Sequence, residues 1–222
     1  MELVEHHIRV ARTARYWTAG NPAATDVWFV LHGYRQLAKR FLRRFEAIAS
    51  DRRLVVAPEA LSRFYVSSGG GRHGVESVVG ATWMTREDRD AEIADYVGYL
   101  DRLAARIGDG RGDARSISVL GFSQGVATAC RWAVLGSIRP GRLILWGDFL
   151  PPDLDLVEAR RRLVGVDVVL VRGSGDGALS PALAEAESAR IDAAALDVRR
   201  VVYSGGHDIH RETLEALADD RP

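Results

Sequence analysis

Three residues of this 222-residue chain have the types and order needed for acyl transfer: Ser123, an aspartate and a histidine, all downstream of position 120. Ser123 lies in Gly121-Phe122-Ser123-Gln124-Gly125, between the apolar run Ile117-Ser118-Val119-Leu120 and the helix-like stretch Val126–Ala133. Strand, G-x-S-x-G, helix is the context of a nucleophile elbow, a turn tight enough to strain the serine and lift its hydroxyl clear of the sheet. Side chains two residues either side would collide with the crossing helix and strand, so glycine is expected at both. The helix start aims free N–H groups and a positive dipole end at the place where an oxyanion would form.

A serine nucleophile needs a base, and the base needs an orienting acid. Only His207 and His210 follow Ser123. His207, in Ser204-Gly205-Gly206-His207, ends the strand-like run Val198–Tyr203 and is the preferred base. His210 reads as a surface or capping residue of a final helix. For the acid, Asp176 in Gly173-Ser174-Gly175-Asp176-Gly177 follows the apolar run Val168–Val171, and Asp148 follows Leu143–Gly147 one strand earlier. Asp176 is preferred because it precedes a helix opened by Ser180-Pro181, a serine cap with proline at the first helical position. The oxyanion donors expected are the N–H of Gln124, after the nucleophile, and that of Tyr34, after Val27–Leu31 and His32-Gly33.

Leu31-His32-Gly33, Ala57-Pro58-Glu59, the Phe-Ser-Gln elbow, Gly175-Asp176 and Gly206-His207 together resemble the phospholipase/carboxylesterase family, which includes bacterial carboxylesterases and acyl-protein thioesterases. The similarity covers nearly the whole chain. It implies an α/β-hydrolase fold, a mostly parallel central sheet with helices on both faces. It also implies a serine carboxylesterase with Ser123, Asp176 and His207 as triad and no cofactor. Two positions depart from the usual pattern: Tyr34-Arg35-Gln36 where a second glycine often stands, and Val126 where the glycine after the elbow is often doubled.

The elements that must position these residues are legible as apolar runs near 27–32, 54–58, 116–121, 142–147, 167–172 and 197–203, the signature of strands buried on both faces of a parallel sheet. Residues 2–18 read as two short antiparallel strands, with His6-His7 on an edge. Leu37, Phe41, Leu42, Phe45 and Ile48 give one apolar helical face backed by Lys39, Arg40, Arg43 and Arg44, read as solvated. The strongest helical pattern starts near Thr85, with Thr85 and Asp88 at capping-box spacing and a stripe of Ile93, Val97, Leu100, Ala104 and Ile107. Residues 59–84 are the one long irregular stretch, leaving the carboxyl end of a strand, where α/β sheets place their sites. Phe64, Tyr65, Trp83 and Met84 are therefore candidate pocket walls, the alternative being a self-packed apolar cluster. Gly69-Gly70-Gly71 lacks the P-loop pattern.

Alternating strand and helix signals over this length, with no linker or repeat, imply one domain spanning 1–222. A net charge of zero gives no support for nucleic-acid binding. The single cysteine, Cys130, cannot form an intrachain disulfide and reads as buried. No metal-ligand spacing occurs, no apolar run reaches transmembrane length, and the amino terminus lacks a leader pattern. The expectation is a cytoplasmic enzyme acting on a small-molecule ester, without stable membrane association, metal or cofactor. Thioester hydrolysis, acyl transfer and a non-catalytic small-molecule-binding domain are the alternatives.

Overall fold

A computed structural model describes residues 1–66, 73–109, 116–178 and 180–220. Its centre is a seven-stranded sheet in the order β1-β3-β2-β6-β7-β8-β9. The strands are β1 (Tyr16–Gly20), β2 (Asp26–Leu31), β3 (Arg53–Pro58), β6 (Ser116–Phe122), β7 (Arg142–Trp146), β8 (Asp167–Gly173) and β9 (Arg199–Tyr203). All neighbours pair in parallel except β1, which runs antiparallel to β3 with Tyr16 opposite Pro58. The six core strands sit where the apolar runs predicted them.

Alternate residues of each strand feed two apolar layers. Phe29, Leu31, Val56, Leu145 and Leu170 pack with α2 (Arg89–Gly108), α3 (Gln124–Leu135), α4 (Leu156–Arg162) and α5 (Pro181–Ala193). Trp28, Val30, Leu120, Trp146 and Val171 pack on the other side with α1 (Ala38–Leu42) and α6 (Arg211–Asp219). Each fully buried side chain of this kind contributes roughly 1.5–3 kcal/mol, so the sheet is a stiff platform for whatever stands on its carboxyl edge. Among the described residues, no helix is long and apolar enough to cross a membrane.

Four expectations are corrected. Residues 1–15 have no regular secondary structure, so the first of the two amino-terminal strands is absent and His6-His7 lie on no edge; their exposed side chains bury too little apolar surface to fix one. The 59–84 stretch is not wholly irregular. It carries an antiparallel pair, β4 (Ser62–Tyr65) with β5 (Val79–Thr82); residues 67–72 of that stretch lie outside the described residues. Helix α2 starts at Arg89, not at Thr85. Its cap position, Asp88, is left-handed (φ 46°) and makes no side-chain cap bond, while the Thr85 N–H donates to the Glu92 carboxylate. The Leu37–Ile48 face is likewise split, α1 giving way to a 3₁₀ turn at Arg43–Phe45. Farther along, Ser180 caps α5 through the Leu183 N–H, with Pro181 at its first position.

Candidate active site

β6 ends in the elbow. Ser123 has φ 52° and ψ −123°, outside the regions open to a relaxed L-residue, and such strain persists only where the surroundings impose it. Here the imposition is visible. A Cβ on Gly121 would lie 2.2 Å from the Gly125 carbonyl oxygen, and one on Gly125 would lie 2.2 Å from the Leu31 carbonyl oxygen. Strand, turn and helix therefore touch backbone to backbone. The Ser123 N–H donates to Trp146 O at 2.9 Å, tying the turn to the end of β7.

Asp176 and His207 meet at the ends of β8 and β9. The Nδ1 of His207 and Oδ2 of Asp176 are 2.7 Å apart; the Asp176 side chain is fully buried, whereas the imidazole is 35% exposed. An ionised carboxylate only accepts, so this bond puts the ring proton on Nδ1 and leaves Nε2 with a lone pair. The other Asp176 oxygen accepts from the Ala178 N–H at 3.0 Å. The two loops are sewn together by their backbones. The Ser174 N–H donates to Tyr203 O and the Gly175 N–H to Gly205 O, both at 2.8 Å. A Cβ on Gly173 would stand 2.4 Å from Gly205 O, which only glycine permits. From below, the Tyr203 hydroxyl reaches the carbonyls of Gly206 (2.7 Å) and Asp208 (2.6 Å), and Trp146 Nε1 donates to Asp208 O at 2.9 Å.

The two rivals have other hydrogen-bond partners. Asp148 accepts from its neighbouring Phe149 N–H at 2.8 Å, and burial raises its pKa against the opposing pull of that bond and of His207. His210 occupies the cap position of α6, where Nδ1 meets Thr213 Oγ1 at 2.9 Å and the ring stacks on Tyr203. His207 lies beside the elbow: its ring packs on Phe122 (centroids 4.9 Å), and a Cβ on Gly147 would be 3.3 Å from its Cε1. The structure records no hydrogen bond between Ser123 and any described residue's side chain.

The loop expected to carry an oxyanion donor follows β2. A Cβ on Gly33 would stand 3.1 Å from Ser123 Cβ, so this backbone runs beside the serine. His32 is fully buried. Its Nδ1–H donates to Gly33 O (2.8 Å) and its Nε2 accepts the Ala60 N–H (3.1 Å), a pattern that requires the neutral ring. Burial lowers its pKa from 6.5 to about 4, against the opposing Gly33 bond and the charge of Glu59. The Gly33 carbonyl also accepts from the Gln36 N–H. Because a trans peptide holds C=O and N–H on opposite sides, fixing this carbonyl fixes the Tyr34 N–H. Gln36 Oε1 accepts the Gly33 N–H at 2.8 Å. Neither the Tyr34 nor the Gln124 N–H has a hydrogen-bond partner among the described residues. Gln36 and Tyr203 carry no motif of their own and were not among the residues the sequence singled out. A polar side chain three residues after the loop glycine was the available signal for Gln36.

The candidate pocket residues divide. Phe64 stacks on Tyr34 with ring centroids 5.3 Å apart, so it lines the oxyanion loop. Tyr65, on the opposite face of β4, is exposed and stacks on His73. Trp83 is a core residue rather than a wall: it is 2% exposed, Nε1 donates to His32 O at 2.8 Å, and the ring packs against Tyr96. Met84 is half-buried against the same core, 3.3 Å through Sδ from the Arg131 guanidinium. The Gln124 side chain clamps this segment to the elbow, donating to Thr82 Oγ1 (2.8 Å) and Met84 O (3.0 Å) and accepting the Trp83 N–H (3.2 Å). Cys130 is buried, which pushes its thiol pKa up and leaves it inert.

No family model and no curated protein matches the chain. Solved structures do. Acyl-protein thioesterase 2 from Zea mays aligns with TM-score 0.69 and 17% identity over 93% of this chain and 96% of that one. A carboxylesterase from Bacillus cereus aligns with TM-score 0.64 and 16% identity over 93% and 92%. A phospholipase/carboxylesterase from Dyadobacter fermentans gives TM-score 0.62 and 16% identity over 95% and 97%. At these identities the likeness is one of fold: the chain has the α/β-hydrolase fold, of the same type as structures of this group.

Proposed function

We propose that this chain is a serine hydrolase of small carboxylic esters. The observation that carries the reading is the buried Asp176 carboxylate bonded to His207 at the strand edge where Ser123 is held in a strained elbow. Ser123 Oγ attacks the ester carbonyl carbon while His207 Nε2 takes its proton. Asp176 keeps the imidazole in the required tautomer and stabilises its cation. The oxyanion receives the free N–H groups of Tyr34 and Gln124. When the tetrahedral adduct collapses, the carbon–oxygen bond to the alcohol breaks and His207 protonates the leaving alkoxide. Water, deprotonated by His207, then releases the acid from the acyl-serine. The serine–histidine contact tightens in the substrate complex, as catalytic hydrogen bonds commonly do.

No step needs a cofactor or metal. Thioesters can follow the same path, a reading favoured by the fold likeness to an acyl-protein thioesterase. The test is fluorophosphonate labelling, followed by turnover of p-nitrophenyl esters and acyl thioesters of rising chain length. Ser123→Ala should abolish both labelling and turnover while leaving the melt unchanged. A folded wild-type protein that is neither labelled nor active would instead be a binding domain.

A further inference from the structure

Beside the oxyanion loop lies a groove of about 230 Å³ whose lining includes Arg35, Arg40 and Arg44 and no carboxylate. Gln36, Leu37, Phe41, Val78 and Val79 complete its walls. The groove touches both halves of the candidate site. Gln36 is the residue that accepts the Gly33 N–H. Phe41 packs on Phe122 (5.9 Å), whose ring in turn meets His207. Arg44 pairs with Asp208, the residue after His207. The guanidiniums of Arg35 and Arg40 have no hydrogen-bond or ion-pair partner among the described residues.

The backbone goes to some length to present Arg35. It stands at φ 66°, a left-handed conformation uncommon for a residue with a side chain. Hydrogen bonds on either side hold it there: the Arg35 N–H donates to Ala81 O, and the Ala81 N–H to Gln36 O. A Cβ on Gly80 would lie 2.6 Å from Arg35 O, so β5 presses directly on this residue. With Arg44 paired to Asp208, Arg35 and Arg40 leave two uncompensated like charges on one groove, and guanidiniums bind carboxylate and phosphate oxygens in pairs.

We propose that this groove is a subsite for an anionic group, a carboxylate or phosphate, on the ester that Ser123 cleaves. The proposal rests on the hydrolase reading and supplies its substrate class: esters bearing one acidic group a short distance from the scissile bond. Both unpaired arginines are exposed, so replacing them does not threaten the core.

The experiment measures kcat/KM for two matched pairs. Mono-p-nitrophenyl glutarate against p-nitrophenyl valerate places the charge on the acyl side. Para-acetoxybenzoate against its methyl ester places it on the alcohol side. In one pair the anionic member should be preferred about tenfold or more, the scale of one charge-assisted hydrogen bond. The preference should vanish in Arg35→Gln/Arg40→Gln and reverse in Arg40→Glu. Turnover of all four esters with the same anionic-to-neutral ratio in wild type and variants would overturn the subsite while leaving the hydrolase reading intact. Absence of turnover together with absence of fluorophosphonate labelling would remove the hydrolase reading and this assignment with it. An arginine-dependent association with phosphatidylglycerol vesicles, without any ester preference, would reassign the groove to lipid phosphate and overturn the substrate role.

Discussion

The two halves of the candidate site are held by different means. On the acid–base side, Asp176 and His207 are positioned by backbone against backbone: glycine contacts and paired amides lock the β8 and β9 loops together. On the oxyanion side, the Tyr34 peptide is positioned by side chains, with His32 and Gln36 on the loop and Gln124 clamping the neighbouring 82–84 segment. A backbone suture is insensitive to pH and to most side-chain changes around it. A side-chain scaffold transmits both. The acid–base half should therefore respond mainly at its reacting groups and at Tyr203 and Trp146, the two side chains bonded to the His207 loop, whereas the oxyanion half should respond at several residues that never touch substrate.

The largest effect should come from the reacting groups. His207→Ala should lower kcat by about 10⁴-fold or more, matching Ser123→Ala because triad members act as a unit. Steady-state kinetics on the purified variants check this, and retained turnover in His207→Ala would break the assignment of the base. Asp176→Asn should fall well below Asp148→Asn in the same assay, since only Asp176 is bonded to the ring.

Next in size is Trp83→Ala. Its indole is buried beneath the oxyanion loop, so the variant should lose about 3–5 kcal/mol of stability with an unchanged acyl-chain profile. Denaturant unfolding alongside the ester panel measures both. A shifted chain-length profile at normal stability would return Trp83 to the pocket wall.

The comparison is sharpened by pH. His32 is neutral when folded, with its pKa near 4, whereas in the unfolded chain it takes a proton below about 6.5. Its contribution is thus complete above pH 6.5 and is lost as pH falls from 6.5 to 4, by roughly 3 kcal/mol. Melts of wild type and His32→Gln across that window should converge toward the acid end. Parallel curves would show that His32 does not titrate as its burial requires. The smallest effect belongs to His210→Ala, which should keep most activity and lose at most about 1 kcal/mol, because its partners are Thr213 and the face of Tyr203.

What the sequence determined by itself is what short-range sterics and hydrophobicity govern. The elbow is a local object: Gly121, Ser123 and Gly125 are needed because strand and helix cross within five residues. The buried strands are legible because a doubly covered parallel strand must be apolar throughout, and Asp176 because it follows such a strand in a glycine-rich loop; His207 follows β9, the half-exposed edge strand, in a second glycine-rich loop. The tertiary structure alone decided matters that depend on residues far apart in the chain. Whether Asp148 or Asp176 reaches His207 turns on the β8–β9 suture, which no local pattern encodes. The 59–84 stretch became a hairpin because Arg35 and Gln36, decades of residues upstream, offer Ala81 its hydrogen bonds. Trp83 became core because His32 O and Tyr96 receive it from two other elements. The amino-terminal segment shows the converse: alternating apolar residues form no strand where no partner edge buries them.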